Sequence, residues 1–103
     1  MTKNEILNYL KELKPELFSH GIKSLGLFGS FAKEKSNENS DIDIVYETTD
    51  EFIQTYQGWI AFTYLNTNLR DKLINKFHVE VDMFDLNSDS IMKNKIKNEA
   101  IYV

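Results

Sequence analysis

The sequence predicts an α/β fold, here a small mixed sheet of three or four strands flanked by helices. Three observations carry this. Apolar residues recur at helical spacing in two segments, Ile6-Leu10-Leu13-Leu17 and Phe62-Leu65-Leu69-Leu73. Three short stretches, Ser24–Phe28, Asp41–Tyr46 and Val79–Phe84, are apolar or alternate with period two. The two patterns interleave in the order α-β-α-β-α-β-α rather than segregating. The length, 103 residues, suits a single domain over 1–103 with a core that needs no staples.

Each element has its own signal. The first helix runs from Lys3 to about Leu13. Pro15 lacks an N–H, so a break is expected near Lys14, with Pro15 opening a further short turn and Gly21 ending the region. Ser24–Phe28, bounded by Gly21 and Gly29, reads as a buried strand. Gly29-Ser30-Phe31-Ala32-Lys33 reads as a turn into a helix start, and Ser36–Ser40 as a polar loop. Asp41–Tyr46 is the second strand, and Thr48–Asp50 a cap and loop. A helix from Gly58 to about Phe77 tolerates Asn66 and Asn68, which lower its propensity without breaking its period. Val79–Phe84 is the third strand. Ser88 is expected to cap a last helix through about Asn98, with Ile91, Met92 and Ile96 inward. Ile101-Tyr102-Val103 can add a terminal strand.

Composition narrows the function. Cysteine is absent, which excludes disulfides, thiolate metal sites and cysteine nucleophiles. The net charge is -4 and Arg70 is the only arginine, which argues against direct nucleic-acid binding, an interaction dominated by phosphate neutralisation. A small anionic substrate handled through metal ions stays open. No apolar run approaches the roughly 20 residues of a membrane span. Met1-Thr2-Lys3-Asn4-Glu5 has no apolar signal core, so the expectation is a cytoplasmic protein without membrane contact.

The chemistry concentrates between Gly29 and Asp43. Asp41 and Asp43 lie two apart in a strand, so they share a face with Cα atoms roughly 6.5–7 Å apart. Carboxylates so placed repel unless a cation sits between them. Mg²⁺ suits them, because it takes a few carboxylates plus substrate phosphates. Gly29 lets backbone approach an anion closely, and Ser30 offers a hydroxyl at a helix start. Asp82 is a third acid, on the strand face opposite Val79 and Val81. If the second and third strands are neighbours, it can join Asp41 and Asp43 in a two-metal site for phosphoryl chemistry.

Phe28-Gly29-Ser30-Phe31-Ala32 followed by Ser40-Asp41-Ile42-Asp43-Ile44-Val45 resembles the signature of the DNA polymerase beta superfamily of nucleotidyltransferases. The short chain, the Val81-Asp82-Met83 strand and the tail Ile96…Glu99-Ala100-Ile101-Tyr102-Val103 resemble its minimal nucleotidyltransferase branch. That branch includes the MntA-type antitoxins that accompany HEPN-domain toxins. The resemblance implies a polymerase-beta-like core and a Mg²⁺-dependent transfer of AMP from ATP to a tyrosine of the partner HEPN toxin. It implies that Gly29, Ser30 and Lys33 bind the nucleotide. It implies that Asp41, Asp43 and Asp82 are catalytic and hold two Mg²⁺ ions, with Asp82 a ligand or the base. One departure stands out: the family commonly has Ala-Arg-Gly where this chain has Ala32-Lys33-Glu34. Lysine lacks arginine's bidentate fork, and Glu34 adds negative charge beside the triphosphate.

Two readings follow. One is a nucleotidyltransferase antitoxin whose partner supplies the acceptor. The other is a weak or inactive protein of the same fold that neutralises its partner by binding alone. The acceptor, the nucleotide preference and the choice between homodimer and hetero-oligomer stay open. Among the remaining residues, His20 and His78 read as surface or cap histidines. Trp59, Phe62 and Tyr64 read as core or partner surface. Lys93, Lys95 and Lys97 read as a solvated helix face, and Asp85 and Asp89 as turn and first-turn acids.

Overall fold

A computed structural model describes residues 1–37 and 39–103; of the expected Ser36–Ser40 loop, Glu38 lies outside the described residues. Helix α1 spans Lys3–Ser19, capped by the Thr2 hydroxyl, which accepts from the Glu5 N–H at 3.2 Å. Ile6, Leu10 and Leu17 line its buried face. The expected break at Lys14 does not occur, and the helix runs through Pro15. Pro15 is exposed, so water can reach the backbone carbonyl it leaves without a partner. The buried leucines on either side hold the last turn in line.

Strand β1 (Ile22–Phe28) leads directly into α2 (Gly29–Ala32), and β2 spans Ile42–Thr48. Where the sequence suggested a loop, Thr49 caps a further helix, α3 (Asp50–Thr55), its hydroxyl accepting from Phe52 N–H at 3.1 Å. Burial of Phe52 holds this short helix in place. The long helix expected from Gly58 is α4 (Trp59–Leu65), a π turn (Asn66–Arg70) and α5 (Asp71–Phe77) in succession. A π turn lengthens the hydrogen-bond step and disturbs the carbonyls before it. Asn68 Nδ2 donates to the Tyr64 carbonyl there at 3.0 Å. Leu65, Leu69 and Leu73 remain buried on one face.

Strand β3 is Val81–Asp85, α6 is Lys93–Glu99 and β4 is Ile101–Tyr102. The last helix starts later than expected. Ser88 Oγ donates to the Asp85 carbonyl at 2.6 Å, closing a turn instead of capping a helix. Ile91 and Met92 are therefore outside, 99% and 44% exposed, and only Ile96 of the three is buried.

The sheet order is β3-β2-β1-β4, with β1 antiparallel to both β2 and β4, and β2 parallel to β3. A register shift between Ile22 and Ser24 lets Ile22, Leu25 and Leu27 all reach the interior. With Ile42, Ile44 and Val81 they form the main core against α1 and the α4–α5 segment. The opposite face is thinner. Val45 packs there with Leu86 and Ile96, flanked by Phe28, Phe84 and Ala100.

Candidate active site

The acids gather at one end of this second face. The register sets Phe28 opposite Asp43 on one side and Asp82 opposite Asp43 on the other. Neighbouring strands lie about 4.8 Å apart, so Asp43 and Asp82 are immediate cross-strand neighbours. Asp41 immediately precedes β2. Asp43 is half-buried, whereas Asp41 and Asp82 are exposed. The Asp43 carboxyl is pushed above its ordinary value, first by burial and then by the charges of Asp82 and Asp41. The sheet thus brings together the three acids singled out in the sequence. Among the described residues, no three carboxylate or imidazole groups are close enough to enclose an ion by themselves.

Gly29 closes the site on the β1 side. Its φ is +75°, in the region that favours glycine. A Cβ there would overlap the Asp43 carboxylate and come within 2.9 Å of Asp43 Cγ. The Gly-Ser turn and the second acid are therefore in direct contact. Ser30 is half-buried in α2, and its carbonyl accepts from Lys35 N–H at 2.9 Å. Lys33, at the end of α2, points elsewhere: its Nζ lies 3.3 Å from Glu99 Oε2 at the end of α6. Glu34 follows at φ +58° and pairs with Lys3 at 3.3 Å. The left-handed backbone supplies a physical reason for glycine at the matching family position.

Sequence reasoning passed over Arg70 and Asn66. Arg70 Nε donates to the Val81 carbonyl at 2.9 Å, fixing the side chain beside β3. Both residues lie in the π turn and line a cavity of about 390 Å³ with Tyr46, Phe62, Met83 and Asp82. The available signal was that this lysine-rich chain has a single arginine. The histidines are cap residues. His20 ends α1 with Nδ1 2.8 Å from the Glu16 carbonyl, and His78 ends α5 in a left-handed conformation. Trp59 and Phe62 are surface rather than core, 80% and 58% exposed, while Tyr64 packs against Phe52, Tyr56 and His20.

The comparisons with known proteins agree with this architecture. The family described as "Polymerase beta, Nucleotidyltransferase" matches residues 4–103. A Methanocaldococcus jannaschii protein named "Putative protein adenylyltransferase MJ0435" is 33% identical over 100% of this chain and 99% of its own length. Another from the same organism, "Putative protein adenylyltransferase MJ1215", is 34% identical over 84% of this chain and 92% of its own. Among solved structures, a toxin–antitoxin crystal structure with AMP-PNP superposes with a TM-score of 0.63 at 25% identity, covering 99% of this chain and 72% of that one. The fold also matches a solved minimal nucleotidyltransferase with a TM-score of 0.72, covering 98% of this chain and 95% of that one at 19% identity. The strand-end acids, the glycine turn against them and the match along nearly the whole chain lead to one conclusion: the chain belongs to the polymerase beta nucleotidyltransferase family.

Proposed function

We propose that this chain is an antitoxin that transfers AMP from ATP to a tyrosine hydroxyl of a partner HEPN-domain toxin in the cytoplasm, with Mg²⁺. The observation that carries the reading is the register that sets Asp43 beside Asp82, with Gly29 packed on the Asp43 carboxylate. The relatives named as adenylyltransferases and the toxin–antitoxin structural neighbour support the same direction.

The donor set suits Mg²⁺. Adjacent carboxylates that raise one another's proton affinity form a site that a cation relieves. Mg²⁺ commonly uses one or two carboxylates and completes its shell with substrate phosphates, so no cage made by the protein alone is needed. Asp41, Asp43 and Asp82 would hold it, and bound there it supplies charge stabilisation to the attacking and leaving oxygens. Gly29 and Ser30 give the triphosphate close access to the backbone. Asp82, at the open side, accepts the proton of the acceptor hydroxyl. The hydroxyl oxygen bonds to the α-phosphorus, the bond from that phosphorus to the oxygen bridging to the β-phosphorus breaks, and pyrophosphate leaves.

Calorimetry of ATP with and without Mg²⁺ tests the site, and intact-mass measurement of the partner tests the transfer. Asp41→Asn with Asp43→Asn should leave partner binding intact and add no mass. One observation favours a second reading, neutralisation by contact: Lys33 is engaged by Glu99 rather than directed to the acids. If the double variant neutralises the partner as well as the parent protein does, that second reading replaces the first.

A further inference from the structure

The cavity beside Asp82 has no part in holding the nucleotide, yet its lining is specific. β3 is an edge strand, so the cavity reaches round that edge, from Val81 and Met83 on the core face to Asp82 on the other. At its far wall stand Asn66 and Arg70. The Nε–H of Arg70 is committed to the Val81 carbonyl at 2.9 Å, and its terminal Nη donors have no protein partner among the described residues. A guanidinium anchored in this way offers a planar fork fixed in direction. Tyr46 does not oppose an anion there: burial and the charge of Asp85 push its hydroxyl up to about 12, so it stays neutral. Between the two polar ends lie Phe62, Leu65 and Met83. The cavity therefore has a carboxylate at one end, an arginine at the other and an apolar middle.

We infer that this cavity is the acceptor site, that it takes a tyrosine side chain from a protein segment, and that Arg70 selects an acidic residue next to that tyrosine. The inference rests on the proposed transfer reaction and adds to it the residues that choose the acceptor. The hydroxyl would reach Asp82, the ring would lie against Phe62, Leu65 and Met83, and a neighbouring carboxylate would meet Arg70. A protein segment fits better than RNA. One arginine in a chain of net charge -4 can meet a single carboxylate but supplies little of the phosphate neutralisation a polyanion needs.

Binding tests this separately from catalysis. The probes are three fluorescent oligomers: a peptide with Tyr between two Glu, the same peptide with Gln in place of Glu, and a short oligoribonucleotide. The Glu peptide should bind about tenfold more tightly than the Gln peptide, the scale of one charge-assisted bond. Asn66→Asp places a negative charge beside Arg70 without touching its bond to Val81, and should remove that preference. Arg70→Lys should reduce it, and circular dichroism checks that this variant is folded. Equal affinity for the two peptides, no binding of either, tighter binding of the oligoribonucleotide, or a preference that survives Asn66→Asp each overturns the inference. Mg²⁺-dependent ATP binding, measured on the same variants, should be unchanged. Its absence in the parent protein would count against the transferase reading instead.

Discussion

Replacing Gly29 with alanine separates the geometry of the site from the stability of the fold. The backbone there sits at φ +75°, which costs a residue with a Cβ about 1–2 kcal/mol. Alanine recovers about 0.4–1 kcal/mol by restricting the unfolded chain. The net backbone loss is then about 1 kcal/mol, a fall in Tm of about 4–8 °C for a domain of this size. The added methyl also overlaps the Asp43 carboxylate, with Asp43 Cγ at 2.9 Å. Asp43 is only half-buried, so it can rotate away and the protein still folds, but the carboxylate leaves its place beside Asp82. Gly58→Ala is the matched control: φ there is +56°, and a Cβ would meet nothing within 4 Å. Both variants should lose comparable stability in thermal unfolding. Only Gly29→Ala should lose Mg²⁺-dependent ATP binding in calorimetry, by tenfold or more. Retention of full binding by a folded Gly29→Ala protein would refute the argument, as would equal loss in the two variants.

Three further outcomes follow from the same structure. Asp43→Asn should stabilise the metal-free protein at neutral pH, by about 0.2–1 kcal/mol on the scale of cross-strand charge pairs. The sign follows from linkage: a carboxyl raised in the folded state from its ordinary 3.8 supports folding below that value and opposes it once ionised. The gain in Tm should thus be present at pH 7 and vanish near pH 3; a gain independent of pH would exclude charge as its cause. Glu34→Gly relieves a left-handed residue at φ +58° and gives up only the exposed pair with Lys3. Urea unfolding should show a net gain of about 0.5–1 kcal/mol, the left-handed cost less the entropy of glycine. Pro15→Ala restores a helical N–H within α1 and should stabilise by up to about 3 kcal/mol with the far-ultraviolet spectrum preserved; an unchanged urea midpoint would mean the helix bears no cost there.

The sequence by itself determined what depends on neighbours along the chain. Period-two alternation in Asp41–Tyr46 and helical spacing in Leu65-Leu69-Leu73 are local, and both elements are present. The Gly29-Ser30 turn and the paired acids were legible because glycine tolerance and strand alternation are also local rules. The same local rules failed at Pro15, where burial of Leu10 and Leu17 outweighs one missing hydrogen bond, and at Ile91 and Met92, where Ser88 closes a turn instead of starting a helix. Only the tertiary structure decided that β3 lies parallel beside β2, so that Asp82 meets Asp43 across about 40 residues of chain. It also decided that a π turn carries Arg70 to the Val81 carbonyl, and that Lys33 turns to Glu99. The physical reason is common to these cases. Strand order and the pairing of distant side chains are set by how whole elements bury their apolar faces, and no window of neighbouring residues contains that information.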